Sequence, residues 1–133
     1  MDSNVLISLL NREMGRGVRG LFVEAEAFFE RIKEGEHTLV LSNWFFREVK
    51  KITYLSRVEI LEYFNKLGIN VDVVEQKGKL NLSEFSSKGL RFPDSLHAAI
   101  AVAQKCECIV TFNIKDFKGL EDRIAVLEPL DFI

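Results

Sequence analysis

The sequence predicts a layered α/β fold with a mostly parallel sheet and helices on both faces. Three observations carry this. Short apolar runs of strand length alternate with segments of helical period along most of the chain. Cap and stop residues, mainly Ser, Asn, Gly and Pro, stand between them. With 133 residues, 47% of them hydrophobic and 29% charged, the chain can bury one real core and is not of disordered composition. It is read as a single domain over residues 1–133, without repeats, low-complexity tracts or a linker.

The elements follow in order. Ser3 and Asn4 are good helix N-caps ahead of the apolar run Val5 to Leu10, so a short helix is expected there, ending before Gly15. Gly20 to Glu34 places Leu21, Phe22, Ala25, Phe28, Phe29 and Ile32 at helical spacing, and Gly35 stops it. Thr38 to Leu41 reads as a buried strand. Ser42 or Asn43 caps a helix carrying Trp44, Phe45, Val49 and Ile52 on its apolar face. Ser56 caps the next, with Ile60, Leu61, Phe64 and Leu67 on one face and Gly68 closing it. Asn70 to Val74 is a strand, and Leu80 to Ser87 a weaker helix. Pro93 suits a first helical position and opens a helix to about Lys105. Cys108 to Thr111 and Ala125 to Leu127 are the last strands.

Bulk properties exclude some functions. The longest apolar runs fall far short of the ~20 residues that span a bilayer, and no basic segment followed by an apolar one opens the chain. A cytoplasmic protein without membrane contact is therefore expected. The net charge of −2 and a pI near 5.7 give no general support for nucleic-acid binding. A metal-holding acidic cluster can still face a phosphate backbone, because the cation neutralises it. Cys106 and Cys108 lack a second ligand pair at zinc spacing and read as plain buried thiols.

The acids are the informative residues. Glu48 falls on or beside the apolar stripe of its helix, with Trp44, Phe45 and Ile52 at i−4, i−3 and i+4. Asp94 occupies the first turn of the helix opened by Pro93, where free N–H groups and the dipole favour a carboxylate. Ala98 and Ala101 continue that face and imply close packing. Asp2 precedes an early apolar run, and Asp116 follows a strand. Singly, each is an ordinary surface or helix-start acid. Strand ends and helix starts converge on one edge of a parallel sheet, and several close carboxylates need a cation to stay ionised together. Hard oxygen donors select Mg²⁺ or Mn²⁺.

Four segments in this order resemble PIN domains: Asp2-Ser3-Asn4-Val5-Leu6-Ile7, the mid-chain Glu48, Phe92-Pro93-Asp94-Ser95-Leu96-His97-Ala98-Ala99-Ile100-Ala101, and Ile109 to Phe117. The resemblance spans nearly the whole chain and is nearest to the VapC-like ribonuclease toxins of toxin–antitoxin pairs. It implies a three-layer α/β/α sandwich and a Mg²⁺- or Mn²⁺-dependent endoribonuclease. By position, Asp2, Glu48 and Asp94 match the three core acids. The fourth position falls on Asn113, with Asp116 three residues later. Ser3 and Thr111 match polar positions that line the site, and His97 is expected to be structural. RNA is the implied substrate, an antitoxin protein a possible partner, and a homodimer through the early helices the implied assembly. Only Met1 precedes Asp2, so either the first, central strand is expected to be curtailed or the native start to lie upstream.

Arg12, Arg16, Arg19, Lys50, Lys51 and Arg91 are candidate phosphate contacts, or equally solvated helix faces. Two other readings stand beside the ribonuclease. One is a degenerate PIN-like domain that binds RNA or a protein without cleaving. The other is a phosphatase or DNA flap nuclease using the same acids.

Overall fold

The computed structural model describes residues 19–132, with side chains from residue 23 onward. The early helix expected from Val5, the curtailed strand at Asp2 and the apolar surface of Leu9, Leu10, Leu21 and Phe22 lie outside these described side chains.

Helix α1 (Arg19–Glu34) buries Ala25, Phe28, Phe29 and Ile32, the i, i+3, i+4, i+7 stripe that a core-facing helix requires. Gly35 ends it as expected, since a Cβ there would stand 2.6 Å from the His37 ring, although Glu36 takes the left-handed φ of 55°. Strand β1 (Thr38–Ser42) follows, then helix α2 (Asn43–Thr53), helix α3 (Arg57–Leu67) and strand β2 (Asn70–Val74). β1 and β2 pair in parallel from Thr38↔Asn70 to Ser42↔Val74. Asn43 extends this ladder with its side chain. Its Oδ1 accepts the Gln76 N–H at 2.9 Å and its Nδ2 donates to the Gln76 carbonyl at 3.3 Å.

The caps read from sequence are present. Ser42 accepts the Phe45 N–H at the start of α2, and Ser56 forms a reciprocal capping box with Glu59 at the start of α3. Gly68 closes α3 in the left-handed region, at φ 75°. One expectation on α2 fails: Ile52 is 55% exposed. It sits in the last turn, at the margin of the buried stripe of Phe45, Phe46, Val49 and Thr53.

Helix α4 (Ser83–Ser87) is shorter than the expected Leu80 to Ser87. Asn81 is the reason: its Oδ1 accepts both the Ser83 N–H and the Ser83 hydroxyl, a local turn that competes with helix. Leu80 and Leu82 still pack on the core from irregular chain. Helix α5 (Asp94–Ala103) begins one residue later than expected, with Pro93 as its cap residue. Strand β3 (Cys108–Val110) then pairs in parallel with β4 (Ala125–Leu127), and Thr111 prolongs the ladder by donating to the Leu127 carbonyl. Two 3₁₀ helices, Ile114–Leu120 and Pro129–Asp131, were not foreseen in the sequence. The second lies against α1, where Arg31 donates to the carbonyls of Leu130 and Phe132 and the Phe132 ring meets Phe28 edge-on.

Two buried clusters result. One gathers α1, β1, α2 and α3 around Phe28, Leu41, Val49 and Phe64. The other gathers α4, α5 and the first 3₁₀ helix around Phe85, Ala98, Phe117 and Leu120. β3 serves both, because Val110 belongs to the first cluster and its neighbour Ile109 to the second. Successive strand residues point to opposite faces.

The architecture is thus mixed α/β with short parallel strands, as expected. The strands form two separate pairs among the described residues. Residues of β1 and β3 both line one groove of about 330 Å³, together with Phe28 and Ile32 of α1 and His97, Ile100 and Ala101 of α5, and each strand has one edge unpaired among the described residues. Unpaired strand edges are templates for another strand. Appending about five apolar β-branched residues ahead of Met1, the usual length of a strand, is expected to raise the melting temperature and slow amide exchange along β1 and β3. An unchanged melting point and unchanged exchange would show that the molecule does not use those edges.

Candidate functional site

The site is built at the beginnings of α2 and α5. Ser42 ends β1 and caps α2, so the strand delivers the helix directly. Glu48 lies in the second turn, half-buried, on the edge of the stripe made by Phe45, Val49 and Thr53. α5 contributes its polar first turn. Asp94, Ser95 and His97 are its polar residues; from Ala98 to Ala103 the helix is apolar. Ser95 is buried, and Asp94 and His97 are half-buried.

Glu48 and His97 join these helices. His97 Nε2 stands 3.1 Å from Glu48 Oε1, with side-chain exposures of 17% and 30%. Asp94 precedes His97 by three residues. On a helix that spacing puts two side chains on one face, with Cβ atoms roughly 5–6 Å apart. Glu48 thus contacts the imidazole directly, while Asp94 lies on the same helix face as His97, one turn before it. The sequence reading gave His97 a structural role. What the sequence could not give is its partner, Glu48, on another helix.

Around this pair the side chains are aromatic and basic. Trp44, one turn before Glu48, carries the Arg47 guanidinium over its ring at 4.6 Å. Phe92, two residues before Asp94, is 65% exposed. Lys50, Lys51 and Arg91 are exposed, as a phosphate contact or a solvated face requires.

The residues after β3 stand differently. Thr111 is fully buried, and its hydroxyl accepts the Asn113 N–H at 3.0 Å, which shapes the turn leaving the strand. Asn113 is exposed in that turn, and Asp116 is exposed in the following 3₁₀ helix. Asp2, Ser3, Arg12 and Arg16 lie outside the described residues, and so does the side chain of Arg19. Among the described residues no three of His, Cys, Asp and Glu stand together as a metal-holding group. The donors that α2 and α5 bring into contact are the Glu48 carboxylate and one imidazole. Carboxylate oxygen suits Mg²⁺ or Mn²⁺, and Mg²⁺ commonly takes one or two carboxylates and keeps several waters.

No known family model matches the chain, and no curated protein matches it. No helix among the described residues is long and apolar enough to cross a membrane.

Cys106 and Cys108 line the groove shared by β1 and β3, which His97 also lines. They are half-buried, and Cys106 precedes the strand that Cys108 begins. Burial pushes both thiols above their ordinary range. The thiolate is the reactive form, so iodoacetamide at pH 7.5 is expected to label both more slowly in the native protein than in urea, with native labelling accelerating at higher pH. Equal native and unfolded rates, followed by mass spectrometry, would contradict this placement.

Proposed function

We propose that the chain is a Mg²⁺- or Mn²⁺-dependent nuclease that hydrolyses single-stranded RNA, with Glu48 and Asp94 as the acids of its site and Asp2 as the third. In this reading the fold is a PIN-like three-layer α/β/α sandwich. The observation that carries the proposal is the meeting of α2 and α5, where the half-buried Glu48 carboxylate contacts His97, one helical turn from the half-buried Asp94. Half-buried acids on neighbouring helices repel one another, and a divalent cation relieves that repulsion. The order and spacing of the resembling segments supply the choice of nuclease over other uses of such a pair.

Glu48, Asp94 and Asp2 are the residues that would hold the cation, with Asn113 or Asp116 as a fourth donor. When bound, Mg²⁺ or Mn²⁺ supplies an activated water and neutralises phosphate charge. The protein's own part is to orient. Glu48 and Asp94 align the acceptor oxygens for the attacking water. Exposed Arg91, Lys50 and Lys51 draw the phosphate backbone in against an overall acidic chain. The role of toxin, with an antitoxin partner and a homodimeric assembly, belongs to the same reading and rests on the resemblance. A binding module without cleavage is favoured by one feature, the amide of Asn113 where a fourth carboxylate would strengthen a cation site.

Purified protein is expected to cut single-stranded RNA with Mn²⁺ or Mg²⁺, to stop with a chelator, and to prefer RNA over DNA of the same sequence. Glu48→Gln and Asp94→Asn should each reduce cutting at least a hundredfold, about 2.7 kcal/mol of barrier, with the fold retained. RNA binding without cutting by the wild type selects the non-cleaving module. Equal cutting by all three proteins assigns the activity to a contaminant.

Stability provides a separate test. Mn²⁺ that binds only the folded site stabilises it by ~2.7 kcal/mol at a hundredfold excess over its Kd. Asp94→Asn removes one of the repelling charges. It is expected to melt higher than wild type without metal and to gain less from Mn²⁺. A wild type whose melting curve ignores Mn²⁺, with Asp94→Asn only destabilised, would leave Asp94 as an ordinary first-turn residue.

A further inference from the structure

We infer that His97 is a positioning residue, whose ring N–H fixes the carboxylate of Glu48 for cation binding; the inference rests on the metal-dependent reading above. Three observations bear on it. First, the contact is between helices and between side chains, with His97 Nε2 at 3.1 Å from Glu48 Oε1. Second, the imidazole stands where α5 turns apolar: Ala98 is fully buried directly after it, and Ala99 and Ile100 are buried beyond. A side chain needed there only for packing would be served better by an apolar one, since a half-buried polar group is tolerated at little cost only when its hydrogen bond is made. Third, His97 shares its helix face with Asp94 by the i, i+3 spacing.

The chemistry of the contact has one direction. An ionised carboxylate has no hydrogen to give, so Nε2 must donate. That holds for the neutral ring with its hydrogen on Nε2 and for the charged ring alike, and the role does not depend on titration. Glutamate reaches its carboxylate through three rotatable bonds. Anchoring Oε1 sets the rotation of the carboxylate and its distance from the Asp94 face. Groups that orient a ligand in this way are worth about ten- to a hundredfold in metal affinity.

The molecule contains its own reporter. Trp44 is the single tryptophan of the chain and lies one helical turn from Glu48, so paramagnetic Mn²⁺ held by Glu48 quenches its fluorescence. Metal-free wild type, Glu48→Gln, His97→Leu, His97→Asn and His97→Gln are titrated with Mn²⁺ while Trp44 emission is followed, and the melting temperature of each metal-free protein is recorded. Gln carries an amide N–H near the position of Nε2, whereas the shorter Asn falls short of it. The expected result is saturable quenching in wild type, a Kd about ten- to a hundredfold weaker in His97→Leu and His97→Asn, and recovery to within about threefold of wild type in His97→Gln.

Either reducing variant suffices should the other not fold. Wild-type affinity in the reducing variants, with loss in Glu48→Gln, overturns the role of His97 and leaves the metal site standing. Equal loss in His97→Gln and His97→Leu also overturns it, because the ring itself would then be required. Absence of saturable quenching in wild type overturns the metal-dependent reading, and this inference with it.

Discussion

Parallel strands cannot be joined by a tight turn; the chain must cross over the sheet and return, usually as helix. That constraint organises the described molecule. β1 and β2 run in parallel over five paired residues, so the chain between them is committed to α2 and α3. The crossover starts directly at Ser42, which is both the last residue of β1 and the cap of α2. Glu48 is thereby held a turn and a half from a strand end, on a helix whose rotation is set by burial of Phe45, Phe46 and Val49. Each such aromatic or aliphatic side chain contributes about 2 kcal/mol when fully buried, enough to fix the rotation of an eleven-residue helix. The Asn43–Gln76 hydrogen bonds clamp the same corner from the β2 side.

On the other side, α5 is positioned by its own apolar character. Ala98 and Ala99 are small enough for close approach, and they pack in the cluster that contains Phe117 and Leu120. Close packing leaves no rotational freedom to the first turn, so Asp94 and His97 are presented as a fixed pair. Contact between His97 and Glu48 then links a residue of the crossover helix to one presented by the second core. The polar contact is small in area compared with the apolar surface that creates it. Its geometry is inherited from two hydrophobic clusters that meet at β3, where Ile109 and Val110 face opposite ways.

The groove lined by β1 and β3 adjoins the acid-bearing end, because His97 lines it as well. Residues of both strands line it, together with Phe28, Ile32 and Ile100. Two thiols lie along it, kept in the less reactive protonated form by burial.

Most element boundaries were legible in the sequence, because they depend on local chemistry. Ser56 with Glu59, Gly68 after Leu67, and the 25-28-29-32 stripe each act within one or two helical turns. Glu48 and Asp94 were legible as acids misplaced beside apolar residues, which is again a local pattern. Where the sequence reading failed, a longer-range or competing force decided. Asn81 shortened α4 through a side-chain bond to Ser83, and Ile52 was left exposed at the margin of its helix's cover. The 3₁₀ helix from Ile114 gained its place by burying Phe117 and Leu120 against α5. Above all, nothing local to residue 48 or residue 97 specifies that they meet. Forty-nine positions separate them, and only the packing of two helices on two cores brings the carboxylate to the imidazole. The sequence by itself determined which segments are helix or strand and which acids are out of place, since those depend on near neighbours. Tertiary structure alone decided that Glu48 meets a histidine, since that depends on where buried surface forces the helices to cross.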